Sequence, residues 1–124
     1  DNRELHFGHA TWDTYATAAP RIFKHLTLPS QHNGSVALRT VSMSSSPGFL
    51  ASVDDYYLVA EPSSNTILGV IETSINIDDR AAYKAIKETS VLCWIRSMVA
   101  NQLALDAPGW ARTFAVQASG TYNN

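Results

Sequence analysis

Cysteine is almost missing from this chain: Cys93 stands alone in 124 residues, which rules out an internal disulfide and leaves the redox compartment open. Clustered positive charge is missing too. The nine lysines and arginines are scattered among eleven acidic residues, and the net charge of −2 gives nucleic acid or an anionic membrane no electrostatic hold. No apolar run approaches the ~20 residues of a membrane span, and no signal-peptide pattern is present. Internal repeats, low-complexity tracts and linkers are likewise absent. What the chain does have is 45% apolar residues, enough to supply a core for one modest domain. It starts at Asp1 rather than Met, so processing or truncation is expected.

Along the chain, Leu5-His6-Phe7-Gly8 reads as a short strand leading into a helix over 13–26. Tyr15, Ala18, Ala19, Ile22, Phe23 and Leu26 recur there at three- and four-residue spacing, with Thr11 or Asp13 as cap. Pro20 should kink this helix or delay its start, because its ring removes a donor and clashes with the preceding turn. Residues 29–34 read as a loop, 36–43 as a strand and 44–48 as a turn. Two β-rich runs, 56–60 and 66–73, flank Glu61-Pro62-Ser63-Ser64-Asn65 as a hairpin. The second run, with Ile67, Leu68, Val70 and Ile71, has the pattern of a strand buried on both faces.

A long helix is expected from Asp78 or Asp79 to Leu105, ended by Pro108-Gly109, with a further short helix over 110–116. The resulting order of elements predicts an α+β domain with helices packed on a sheet.

Read for chemistry, the residues offer little. Cys93 falls within the expected long helix between Leu92 and Trp94, without a partner base, and reads as a small buried hydrophobe. His6 and His9 are three apart, a spacing that suits a helix face better than a strand, and a metal would want further ligands. Asp54-Asp55 are paired acids on one reading and a turn or cap before an aromatic strand on the commoner one. Trp12, Trp94 and Trp110 fit core anchors. Asn33-Gly34-Ser35 is a sequon in a polar stretch, which makes Asn33 a candidate glycan acceptor. These residues by themselves describe a soluble α+β domain with no identifiable site.

A collinear set of short pieces adds to that reading. They are Phe7-Gly8-His9-Ala10-Thr11-Trp12, Arg21-Ile22-Phe23-Lys24, Ser44-Ser45-Ser46-Pro47-Gly48 and Asp54-Asp55-Tyr56-Tyr57-Leu58. Trp94-Ile95-Arg96, Val99-Ala100-Asn101, Trp110-Ala111 and Ser119-Gly120-Thr121-Tyr122-Asn123-Asn124 complete the set. In this order they resemble the phospholipase B-like family of lysosomal and secreted proteins with an N-terminal-nucleophile hydrolase fold. The similarity spans essentially the whole chain. Two positions depart from the family pattern: Ser46, where an aromatic is usual, and Pro20, which replaces an ordinary helix former.

The resemblance implies that residues 1–124 are a single partial domain, an internal segment of a four-layer αββα sandwich. In the family, the precursor cuts itself before a cysteine whose thiol becomes the nucleophile and whose new α-amine becomes the base. An α-amine with a pKa near ~8 can take the thiol proton around neutrality, and thiolate is the reactive form. By the family pattern this cysteine lies upstream of Asp1, and Cys93 does not match it. The expected partners are therefore upstream and downstream segments of the same precursor. Sheet edges and apolar faces left open would be covered by them.

The remaining site residues carry over one at a time. His9 and Trp12 match the family's His and Trp after the nucleophile: His9 to hydrogen-bond the nucleophile or substrate carbonyl, Trp12 to wall the pocket or donate its indole N–H. A buried structural His and a core Trp are the plainer readings. Thr73, of the pair Thr73-Ser74, matches a strand-end Thr able to donate to a developing oxyanion or to cap its strand. Asn123 belongs to the Gly-Thr-Tyr-Asn-Asn segment and either orients substrate or satisfies a turn.

The function implied is hydrolysis of an acyl ester, as in phospholipid deacylation, through a covalent thioester and with no metal or organic cofactor. Amidase action on N-acyl or lipid amides is the alternative on the same fold. A non-catalytic lumenal binding protein on that scaffold is another. The localisation implied is lysosomal or secreted.

Overall fold

The computed structural model describes residues 4–32, 34–52, 54, 56–61, 63–73, 75 and 77–120. They build a mixed α+β architecture: a four-stranded antiparallel sheet in the order β1-β2-β3-β4, with a one-turn helix before it in the chain and two longer helices after it. The strands are β1 (Ile22–His32), β2 (Ser35–Ser45), β3 (Tyr57–Ala60) and β4 (Ile67–Val70). The helices are α1 (Tyr15–Ala18), α2 (Cys93–Leu103) and α3 (Ala107–Ala115).

The helix expected over 13–26 shrinks to the single turn of α1, and its second half is strand. Thr14 caps the turn by accepting from Thr17 N. Pro20 then stops it, and the side chains from Ile22 onward alternate across a ladder instead. Ile22, Lys24, Leu26 and Leu28 share one face of β1, so the period of two overrides the three- and four-residue spacing. The loop expected over 29–34 is also mostly strand. Pro29 pairs opposite Leu38 on the outermost strand, where a missing N–H is tolerated. His32 pairs with Ser35, and Gly34 in the connection takes φ 81°, a left-handed conformation that glycine adopts without strain.

The hairpin between β3 and β4 forms as expected, with Ala60 opposite Ile67. β4, however, is an edge strand and not one buried on both faces: Ile67 is 67% exposed. The segment holding Leu5-His6-Phe7-Gly8 is not part of the sheet ladder.

The long helix expected from 78 to 105 is broken. Asp79 does cap, accepting from Ala81 N at 2.8 Å, but only a 3-10 turn, Arg80–Ala85, follows. Ser90 N then bonds Lys87 O at 2.9 Å, and Val91 N bonds Gln117 O at 2.9 Å, so these backbone groups find partners outside a helix. Pro108-Gly109 does not end a helix but begins one. Asp106 caps α3 by accepting from Gly109 N at 2.6 Å, and proline is at home in a first turn.

The core sits on the sheet face built from Val41, Met43, Tyr57 and Val59, with Leu26, Leu68 and Val70 around it. The C-terminal end of α2 is tied to this face. Ser30 Oγ donates to Gln102 O at 2.5 Å, and Arg39 Nη1 donates to Ala104 O. α2 and α3 hold each other through Arg96, which donates to Phe114 O and lies 4.3 Å from the Phe114 ring centre. Trp110 Nε1 adds a hydrogen bond to Asn101 Oδ1 at 2.8 Å.

The opposite face of the sheet is different in kind. Thr40, Ser42 and Ser44 of β2 lie there beside Thr27, His25 and Phe23 of β1. His25 Nδ1 and Ser42 Oγ are 2.7 Å apart, and the hydroxyls of Thr27 and Thr40 are 3.0 Å apart. This polar row leads along β2 to Asp54.

Candidate functional site

Asp54 lies just before β3 and is buried, and four side chains donate to it, three from other parts of the chain and one from its own loop. Ser44 Oγ, at the end of β2, reaches both carboxylate oxygens, at 2.9 and 3.0 Å. Ser52 Oγ donates to Oδ1 at 2.8 Å, and Arg21 Nη1, just before β1, to Oδ1 at 3.2 Å. Thr11 Oγ1 donates to Oδ2 from the N-terminal segment. The loop that carries Asp54 is itself fixed: Tyr57 OH accepts from Ser52 N at 2.9 Å, and Tyr56 N donates to Ser52 Oγ at 3.1 Å.

Burial alone pushes the Asp54 pKa up. The hydrogen bonds from Thr11, Ser52 and Ser44, with the Arg21 charge behind them, outweigh that and hold the carboxyl below its usual value of 3.8. A carboxylate with its lone pairs occupied and its basicity depressed is a poor proton acceptor near neutrality. The geometry therefore makes Asp54 a fixed anion that organises its neighbours. Its bond from Ser52 ties down its own bend, as a turn role would, and those from Thr11, Arg21 and Ser44 go beyond that role. Its neighbour Asp55 lies outside the described residues.

The N-terminal segment crosses the polar face with Phe7 and Thr11 as its fixed points. The Phe7 ring packs on Gly69 of β4 and lies 5.6 Å from the Tyr56 ring, centre to centre. Thr11 is held by Asp54. His9, midway between them, is partly buried, whereas Trp12 is 96% exposed.

Of the other residues singled out from sequence, Thr73 is exposed, three positions past the end of β4. Asn123, Ser74 and the sequon residue Asn33 lie outside the described residues. Cys93 is the first residue of α2 and not a mid-helix one, and it is partly buried. His6 faces Glu4 at 3.9 Å, and among the described residues no group of three or more His, Cys, Asp or Glu is placed to hold a metal. Trp110 of α3 is partly buried and bonds across to Asn101 of α2, while Trp94 is 47% exposed, so neither is a fully buried core anchor.

Sequence reasoning missed the convergence itself. Thr11, Arg21, Ser44 and Asp54 each belong to a different one of the first four motif pieces, yet their meeting point was not foreseen. The available signal was the density of hydroxyls at Ser44, Ser45, Ser46 and Ser52 in a chain otherwise rich in apolar residues; all but Ser44 prove to be buried.

Comparison with known proteins agrees with these pieces. The family model described as Phospholipase B matches residues 1–124. Phospholipase B-like protein A of Dictyostelium discoideum is 41% identical over 125 residues, covering 100% of this chain and 21% of that protein. Phospholipase B-like 1 of Rattus norvegicus is 38% identical over 120 residues, covering 97% of this chain and 20% of the rat protein. Phospholipase-B 81 of Drysdalia coronoides is 36% identical over 124 residues, again 97% and 20%. The chain thus spans about a fifth of the length of the curated relatives it matches.

Proposed function

Because the chain belongs to the phospholipase B family, a family of hydrolases, we propose that it forms part of an acyl hydrolase whose nucleophile lies outside these 124 residues. The substrate class is an acyl ester, a glycerophospholipid by analogy with the relatives' names. The observation that carries this reading is the meeting at Asp54 of Thr11, Arg21 and Ser44, which gathers the family's motif segments at one end of one sheet.

In the proposed reaction a cysteine thiol at a newly made N-terminus adds to the acyl carbonyl. Its own α-amine takes the thiol proton and passes it to the departing alkoxide, leaving a thioester. Water then adds to the thioester, giving its proton to the amine, and the carboxylic acid leaves as the thiol re-forms. His9 hydrogen-bonds the carbonyl or the nucleophile, Trp12 walls the acyl pocket, and Thr73 and Asn123 supply polar contacts to substrate or oxyanion.

The fold proposed for the assembled protein is the four-layer αββα sandwich, with a second sheet against the polar face. Support comes from the apolar side chains exposed on that face. Phe23 (66%), Val36 (69%), Leu38 (55%) and Ile67 (67%) surround the hydroxyl row, and burying them would follow from a further layer. The segments that cover them would be the remaining parts of the same precursor. A lysosomal or secreted setting goes with this reading, with Asn33 as glycan acceptor.

The test is acyl release by the purified intact protein from glycerophospholipids and from N-acyl amides, together with N-terminal sequencing of each polypeptide in the sample. Ester cleavage and a chain beginning with Cys uphold the proposal. Amide cleavage alone moves the substrate class. A processed, folded protein that cleaves neither points to a binding protein.

A further inference from the structure

Segment 4–14 carries His9 and Trp12 yet contains no strand or helix of its own. Among the described residues, a single hydrogen bond, that from Thr11 to Asp54, joins it to the sheet. The other fixing is the Phe7 ring against Gly69 and Tyr56. A strip held at Phe7 and at Thr11 places His9 between the two supports and Trp12 immediately beyond the second. Packing of a ring on a glycine sets distance from the sheet but resists sliding weakly, since apolar contact is non-directional. The hydrogen bond to a charged acceptor is directional and stronger. It therefore sets the register of the segment along the sheet.

The geometry points to Asp54 as the positioning residue of this site. Through Thr11 it fixes where His9 and Trp12 stand, and through Ser44 and Arg21 it locks that position to the ends of β2 and β1. The inference rests on the reading of His9 and Trp12 as site residues. Asp54 suits the task because the carboxylate is itself immobile. Ser52 and Ser44 donate to it at 2.8 to 3.0 Å, and Ser52 is in turn held by Tyr57 OH and Tyr56 N. A reacting group displaced by about 1 Å can lose roughly 10²-fold in rate, so a loosened Thr11 would be felt at His9 without any contact between Asp54 and substrate.

The test uses the intact protein with Thr11→Val, Thr11→Ser and Asp54→Asn, and Ser63→Ala in the exposed β3–β4 turn as control. Hydrogen–deuterium exchange of peptides covering 4–14 is read beside kcat and KM for acyl release. Thr11→Val keeps the shape and removes the hydroxyl, so it isolates the one bond and carries the test even where Asp54→Asn fails to fold. The expected result is faster exchange in 4–14 and kcat lowered by about 10-fold to 10²-fold, with KM nearly unchanged. Thr11→Ser is expected to restore both, and Ser63→Ala to alter neither.

Unchanged exchange in Thr11→Val overturns the inference whatever happens to activity. Faster exchange in a protein whose wild type releases no acyl group upholds the positioning role and counts against the hydrolase reading instead.

Discussion

Gly69 lies directly beneath the ring of Phe7: a Cβ built on Gly69 would stand 2.8 Å from Phe7 Cζ and 2.9 Å from Cε2. A glycine inside a strand ordinarily weakens it, and here its reason is the close approach of the N-terminal segment. Gly69→Ala forces the ring to move. Because the contact is with the far end of a side chain on an unpaired segment, Phe7 gives way and β4 stays in place. The expected cost is about 1–2 kcal/mol in the chemical denaturation of the intact protein, with faster hydrogen exchange over 4–9. A fully stable variant with unaltered exchange there would contradict the packing described.

Acid should act on the protein partly through Asp54. Its folded-state pKa lies below the usual value of 3.8, so its ionised form is favoured more in the folded than in the unfolded chain. That contribution to stability is present above pH 3.8 and is lost as the pH falls through the lower folded value. Asp54→Asn removes it at all pH values. The difference in unfolding free energy between wild type and Asp54→Asn should therefore hold steady at pH 5 to 7 and narrow below about pH 4. Parallel curves down to pH 2 would mean that another carboxylate dominates.

How much of this was legible in the sequence differs from element to element. The β3–β4 hairpin and the capping role of Asp79 could be read because their signals are local. β1 could not, because Ile22, Phe23 and Leu26 satisfy a helical spacing and a strand alternation at once, and only pairing with β2 decides between them. The Asn33-Gly34 pair between two β-prone runs was the hairpin signal passed over, and it would have converted the expected loop into a turn. The break before α2 depends on Val91 N reaching Gln117 O, a contact that no window of sequence contains. The site shows the same division. Its residues were recognisable as motif pieces, but Thr11 and Asp54 are 43 positions apart and their meeting is a property of the chain path.

Arg39 should be the costliest charge to remove from the face beneath the helices. It is 5% exposed, donates to Ala104 O at the end of α2, and stands 3.5 Å from Glu61 Oε2. The last carbonyls of a helix have no partner within it, and Arg39 supplies one across the layer boundary. Arg39→Leu leaves that carbonyl buried and unpaired and should cost about 2–3 kcal/mol. Glu61→Gln should cost under about 1 kcal/mol, because Glu61 is partly exposed and the pair is solvent-screened. Equal effects of the two substitutions would show that the ion pair, and not the helix-end hydrogen bond, carries the stabilisation.

His9 and Trp12 sit on the same short segment but should fail differently in the intact protein if it is the acyl hydrolase proposed. His9 is partly buried between the two fixings and is proposed to hydrogen-bond the reacting carbonyl, a group its removal would take away. His9→Ala should lower kcat by about 10²-fold with little change in KM, since a contact made chiefly in the transition state is lost. Trp12 projects 96% exposed from this chain and is proposed to wall the acyl pocket. Trp12→Ala should therefore raise KM for long acyl chains by roughly tenfold while sparing short ones, because apolar contact grows with the length buried. Trp12→Phe should recover most of that loss if the indole serves as a wall. Recovery by neither Phe nor Tyr, with kcat falling for short and long chains alike, would assign Trp12 to hydrogen bonding at the carbonyl through its N–H.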